Sequence, residues 1–84
     1  MNQLELLRWA IKAVDTEIKR YSSRLNRYIF IMQAYEKGVH PSYFDLERAK
    51  KQIRELEIDI ELLKQKKTEL EMQIEPKVVR YYSN

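Results

Sequence analysis

The sequence predicts an all-α protein, a long antiparallel helical hairpin of the coiled-coil type. Apolar residues recur at alternating spacings of three and four in two long runs, and a glycine and a proline separate these runs. The composition agrees, because 35% of the 84 residues are charged and only one is glycine and two are proline. Sheet proteins need more turn residues than this. The length allows one domain, residues 1–84.

The first run predicts a helix over about residues 3–37. Asn2 followed by Glu5 is typical of a capping box at a helix start. Gly38 is the residue expected where a helix ends in a left-handed conformation, and Pro41 prevents continuation. The apolar stripe of this helix, the first seam, consists of Leu4, Leu7, Ile11, Val14, Ile18, Tyr21, Leu25, Tyr28, Met32 and Tyr35.

The second run predicts a helix over about residues 43–74. Ser42 with Asp45 indicates its N-cap, and Pro76 is expected to end it. A turn at 38–42 makes the helices antiparallel, and residues 75–84 form a tail of strand-like propensity that packs over the open end or meets a partner. The second seam consists of Leu46, Ala49, Ile53, Leu56, Ile60, Leu63, Lys67, Leu70 and Ile74.

Charges predict the alignment of the two helices. Seam residues should face each other when their numbers sum to 81. This alignment brings together four oppositely charged pairs: Arg8 with Glu71, Asp15 with Lys64, Glu17 with Lys66, and Arg24 with Asp59. Lys67 is the one polar seam residue, and we expect its stem to pack on Val14 while its ammonium reaches water or Asp15.

Apolar residues outside the seams predict self-association. Small scaffolds usually need a staple or oligomerisation, and no cysteine is present for a disulfide. We therefore expect a homodimer of hairpins in a four-helix bundle; the alternatives are a monomer that docks on another protein and a higher-order bundle. Met72 is expected near Trp9 across the hairpin. The predicted interface comprises Leu6, Trp9, Ala13, Ile29, Phe30, Tyr43, Phe44, Ile58, Leu62 and Met72.

The residue types argue against an enzyme. The one histidine, His40, lies in the turn and has no second histidine or cysteine to form a metal or nucleophilic site. We expect no catalytic residue, metal, cofactor or small-molecule substrate. Apolar runs are short and no basic-then-apolar leader precedes the first helix, so we expect no membrane association and a cytoplasmic location.

A basic stripe supports an alternative function. The net charge of +3 is modest, but three arginines at helical spacing could track phosphates, extended across the hairpin by residues of the second helix. The candidate nucleic-acid-binding residues are Arg20, Arg24, Arg27, Lys50, Lys51 and Arg54.

Two resemblances add further expectations. The run Leu7-Arg8-x-x-Ile11-x-x-Val14-Asp15-x-x-Ile18 resembles the opening helix of the all-helical chorismate mutases, over about a dozen residues of 84. The resemblance implies Arg8 as a substrate-binding arginine, but the third helix of that family has no counterpart here. The basic hairpin with its terminal Arg80-Tyr81-Tyr82 also resembles small phage-encoded regulators. We expect a non-enzymatic protein-interaction module: an adaptor, regulator or assembly factor.

Overall fold

The chain folds as an antiparallel hairpin of two long helices. The computed structural model describes the backbone of residues 2–39 and 45–82 and the side chains of residues 2–39 and 45–74. Helix α1 spans Gln3–Glu36 and helix α2 spans Leu46–Tyr82, and the two helices pack along their lengths. The molecule is a rod of 65 × 19 × 17 Å. The predicted all-α helical hairpin is confirmed.

Local hydrogen bonds fix both ends of α1. Asn2 Oδ1 accepts a hydrogen bond from the Glu5 backbone N–H at 2.8 Å, as an N-cap does. At the other end Gly38 has φ of 92°, and the Val39 N–H donates to the carbonyl of Ala34 at 3.0 Å. With the Gly38 N–H donating to Tyr35, this is a Schellman motif. The predicted start and stop of the first helix are confirmed.

Helix α2 begins later and ends later than expected. Asp45 is its cap, because Asp45 Oδ1 accepts from the Arg48 N–H at 3.1 Å and the helix starts at Leu46. Ser42, proposed as the cap, lies outside the described residues. The expected end at Ile74 with a strand-like tail is wrong: the helix runs through Pro76 to Tyr82. A proline inside a helix lacks one N–H hydrogen bond and crowds the carbonyl four residues earlier, but its φ is compatible with a helix, so α2 continues through Pro76 at a local cost in stability.

The two seams form a thin core. Among residues with described side chains the buried apolar ones are Ala49, Leu56, Ile60 and Leu70, all in the second seam. Helix α1 has no buried residue over its whole described length, and its ten seam residues are half-buried. One helix can cover only one stripe of its neighbour, so the large side chains of the first seam keep one edge in water. Neither helix has, over its described residues, an apolar stretch long enough to cross a membrane.

The predicted charge pairs across the hairpin are wrong. In the described part of the chain none of the four forms an ion pair. Asp15 pairs instead with Lys67, Nζ to Oδ1 at 2.8 Å, and Glu17 pairs with Arg20 on its own helix at 2.8 Å. The expected alignment faces Val14 with Lys67, and Asp15 is the residue after Val14, so this contact agrees with that alignment. The alignment of the helices is therefore close to the prediction, although the Asp15–Lys67 pair supports it instead of the four predicted pairs.

Candidate interaction surfaces

The seams divide the surface of each helix into two flanks and an outer side. Residues that directly precede a seam residue lie on one flank, and residues that directly follow one lie on the other. In an antiparallel hairpin the preceding residues of both helices share the same side of the rod. We call this side the leading flank and the opposite one the trailing flank. A residue two positions from both neighbouring seam residues lies on the outer side of its helix.

The outer side of α1 carries exposed aromatic residues. Trp9 lies midway between the seam residues Leu7 and Ile11 and is 65% exposed, and Phe30 is 71% exposed. Trp9, Lys12, Ala13 and Thr16 line a shallow groove. The Thr16 hydroxyl donates to the Lys12 carbonyl at 3.0 Å, so it is already hydrogen-bonded within the helix. This end of the groove is consequently more apolar than its residue types suggest.

The outer side of α2 carries a separate apolar set. Ile58 and Met72 lie midway between seam residues, and both are exposed. Because the outer sides of the two helices face away from each other, Met72 and Trp9 do not cover one another: Met72 is 63% exposed. The proximity of Met72 and Trp9 therefore stays a prediction, and their positions in the seam pattern do not favour it. One flat partner surface cannot contact both sets at once.

The remaining predicted interface residues have three different placements. Leu6, Ala13 and Leu62 directly precede seam residues and are exposed on the leading flank. Ile29 directly follows Tyr28 and is half-buried on the trailing flank. Tyr43 and Phe44 lie outside the described residues. The eight described residues of the predicted interface thus form several surfaces rather than one, and the role of the ten as an interface stays a prediction.

The arginines of the predicted basic stripe on α1, Arg20, Arg24 and Arg27, lie on the leading flank, and all three are exposed. Arg20 pairs with Glu17 on the same helix. The Arg24 guanidinium carbon lies 5.7 Å from the centroid of the Tyr21 ring, a cation–π distance. Arg27 has no ion pair within the described residues, and Arg24 and Arg27 line a groove with Tyr28 and Ile31.

The basic residues of α2 do not extend this stripe. Lys50 and Arg54 directly follow seam residues and lie on the trailing flank, and Lys51 lies on the outer side. Lys50 also has its charge partly compensated by Glu47, at 3.8 Å. By their positions in the seam pattern the six basic residues named from the sequence lie on different sides of the rod, and the extension of the stripe across the hairpin stays a prediction.

A second groove on the leading flank joins the two helices. Tyr21 of α1 lines it together with Asp59, Leu62 and Leu63 of α2. Arg24, stacked on Tyr21, lies beside the same groove. Arg24 and Asp59 make no ion pair, as far as the chain is described, so both charges remain exposed to solvent. The leading flank thus combines arginines on α1 with carboxylates on α2.

Lys67 is the one charged side chain of the second seam. Its hydrogen bond to Asp15, with the charges of Asp15 and Glu71, raises the pKa of the Lys67 ammonium above its ordinary value, although partial burial opposes this. Lys67 Nζ lies 3.9 Å from the Glu71 carboxylate. The expectation that the ammonium reaches Asp15 is confirmed. The ammonium is protonated near neutral pH, as that of an ordinary lysine is, and donates its hydrogen bond across the hairpin.

The described residues contain no group of three His, Asp or Glu side chains that could hold a metal ion. His40 lies outside the described residues. Arg8, which the chorismate mutase resemblance named, is exposed on the trailing flank. Comparison of the chain with protein-family models, with curated proteins and with solved structures finds no significant match.

Proposed function

We propose that this chain is a small cytoplasmic, non-enzymatic interaction module, serving as an adaptor, regulator or assembly factor. Its hairpins pair as a homodimer in a four-helix bundle, and the outer side of α1 docks on another protein. The observation that carries the proposal is that α1 has no buried residue over its 34-residue length. A hairpin with so thin a core leaves much of its apolar surface in water.

The energetics favour covering this surface. Burial of apolar area contributes roughly 25 cal/mol per Å². Leu6, Trp9, Phe30, Ile58, Leu62 and Met72 are each more than half exposed, besides the half-buried first seam. A small protein with several sets of large exposed apolar residues is expected to cover some of them in an interaction. A second hairpin laid against the first would deepen the core in the way that helical bundles do.

Trp9 and Phe30 are the proposed anchors for the other protein. Both lie on the outer side of α1, facing away from α2, where they would stay accessible in a bundle formed through a flank. Large aromatic side chains contribute much of the binding energy at protein interfaces. An amphipathic helix that inserts such anchors into a groove is a common recognition mode.

Sedimentation equilibrium at micromolar concentration tests the homodimer. We expect a species of twice the 10.3 kDa mass of the chain. A single 10.3 kDa species at every concentration would overturn the homodimer.

Substitution of the anchors tests the docking. Proteins captured from the native host by the wild-type chain should be lost with Trp9→Ala/Phe30→Ala and retained with Ser23→Ala, a control on the same outer side that does not line the Trp9 groove. Capture of the same proteins in equal amounts by both variants would contradict the role of Trp9 and Phe30.

Nucleic-acid binding has less support. Arg20 and Lys50 have their charges compensated by glutamates on their own helices, and the basic residues are divided between opposite flanks. A phosphate backbone lying along one side of the rod would meet only part of the basic set, and it would also meet Glu55 and Asp59.

A further inference from the structure

The leading flank carries opposite charges on its two helices at matching heights along the rod. Arg24 and Arg27 lie on α1, and Glu55 and Asp59 lie one helical turn apart on α2; all four are exposed. The contact of Asp15 with Lys67 shows that residues whose numbers sum to 82 lie at about the same height. The numbers of Arg27 and Glu55 sum to 82, and those of Arg24 and Asp59 to 83, an offset of about 1.5 Å.

These charges are not used within the hairpin. In the described part of the chain neither Glu55 nor Asp59 takes part in an ion pair, and Arg27 has none either. Arg24 instead places its guanidinium over the Tyr21 ring. Four exposed charges of complementary sign on one side of a rod are therefore available to an outside partner.

From this arrangement we infer that the partner on the leading flank is a second copy of the chain, related by a two-fold axis parallel to the rod. This inference rests on the proposed function and names the surface and orientation of its homodimer. Such an axis leaves the height of every residue unchanged and places α1 of one copy against α2 of the other. Arg24 and Arg27 of each copy then face Asp59 and Glu55 of the other, twice over by symmetry.

Apolar contacts at the middle of the rod fit the same arrangement. Leu62, 57% exposed, borders the groove that Tyr21, Asp59 and Leu63 line. Leu62 lies at the height of Arg20 and Tyr21, so the two-fold axis brings Leu62 of one copy towards Tyr21 of the other. The charge pairs lie to one side of this contact, towards the turn. The interface would thus have an apolar centre beside matched charges, as specific interfaces do.

Charge reversal tests the inference. One variant carries Arg24→Glu/Arg27→Glu and a second carries Glu55→Arg/Asp59→Arg. Each alone should dissociate about tenfold or more readily than the wild type, because like charges then face each other across the dimer. An equimolar mixture of the two should regain wild-type association, since arginines again face carboxylates. The readout is sedimentation equilibrium of each variant and of the mixture.

A matched control for Arg24→Glu/Arg27→Glu is Lys12→Glu/Lys19→Glu, which lowers the net charge by the same amount. Both lysines are exposed and directly follow seam residues, so they lie on the trailing flank. This control should dimerise as the wild type does. Circular dichroism of every variant checks that the helices form. If one two-site variant folds poorly, a chain that carries all four reversals provides a second test, and it should dimerise because arginines again face carboxylates between copies.

The outcomes separate the two proposals. A wild-type chain that is monomeric throughout removes the homodimer and this inference together. A wild-type dimer that is insensitive to either reversal, or a mixture that fails to regain association, overturns the leading-flank arrangement and leaves the homodimer standing. If the reversed charges repelled residues of the same hairpin only, that repulsion would persist in the mixture and association would not recover. Recovery of association in the mixture therefore supports contact between two copies.

Discussion

The ammonium of Lys67 lies 2.8 Å from the Asp15 carboxylate on the facing helix, in the one polar position of the second seam. Asp15 directly follows Val14, so the lysine stem passes over the seam and its head emerges on the trailing flank. This contact is the one ion pair between the helices in the described part of the chain. A single polar residue in a seam favours one alignment of the helices at some cost in stability.

Replacement of Lys67 by methionine should show how much stability the polar seam residue costs. Methionine keeps the length of the stem and removes the charge that must be kept solvated in a partly buried position. We expect Lys67→Met to raise the midpoint of thermal unfolding and Asp15→Asn to lower it slightly, since an ion pair open to solvent contributes little. Circular dichroism melts measure both; a lower midpoint for Lys67→Met than for Asp15→Asn would count against this account.

Stability should fall at alkaline pH because of the same lysine. The folded chain raises the pKa of Lys67 above the ordinary value of 10.5, so the folded state binds this proton more tightly than the unfolded state. The contribution is therefore complete below pH 10.5 and is lost as the pH rises through the higher pKa of the folded state. Denaturant melts of the wild type and of Lys67→Met across this pH range isolate the contribution of Lys67, because all other groups titrate in both proteins. Parallel pH profiles would contradict the prediction.

The helices and their alignment could be predicted because they follow from burial. Spacings of three and four define one stripe per helix, and the two stripes can meet with only small offsets. The paired side chains could not be predicted in the same way. Glu17 finds Arg20 on its own helix and Arg24 finds the Tyr21 ring, and such local partners compete with partners across the hairpin at similar free energy.

The candidate surfaces were predictable in part from position within the seam pattern. Trp9 and Phe30 lie midway between seam residues and are exposed, whereas Ile29 is adjacent to Tyr28 and is half-buried. The same pattern assigns Met72 and Trp9 to the outer sides of different helices, although the two residues lie at similar heights along the rod. The spacing held an indicator of the continuation of α2, since Val78 and Tyr81 follow Ile74 at four and seven residues, but Pro76 favoured a helix end.

Alanine substitutions at two leucines should distinguish core from surface. Leu56 is 5% exposed and Leu62 is 57% exposed on the same helix. We expect Leu56→Ala to lower the free energy of unfolding by about 2–3 kcal/mol, the lower part of the range for buried leucines, because the thin core can relax around it. In the monomer Leu62→Ala should change it by about 0.5 kcal/mol or less. Urea titrations at low protein concentration make the comparison. Equal losses of unfolding free energy in the two variants would mean that Leu62 is covered even in the monomer.

Gel-shift experiments should show weak binding to random DNA and RNA. The arginines of the leading flank share it with Glu55 and Asp59, and Lys50 and Arg54 lie on the opposite flank, so few phosphates can be neutralised from one side. We expect any shift at low salt to disappear at moderate salt. Tight binding that persists at moderate salt and is lost with Arg20→Ala/Arg24→Ala/Arg27→Ala would favour the nucleic-acid function instead.

Substitution of Gly38 should weaken the turn through the backbone alone. Gly38 has φ of 92°, which residues with a Cβ rarely adopt; among the described residues, apart from Gly38 and its two chain neighbours, no atom lies within 4 Å of where its Cβ would be. Alanine would meet no steric clash, so the expected loss of about 1–2 kcal/mol comes from the left-handed conformation itself. Asparagine, which tolerates this conformation better, should cost less. Thermal melts of Gly38→Ala and Gly38→Asn measure the difference. An alanine variant as stable as the wild type would show that the Schellman hydrogen bonds from Gly38 and Val39 do not hold the end of α1 in this conformation.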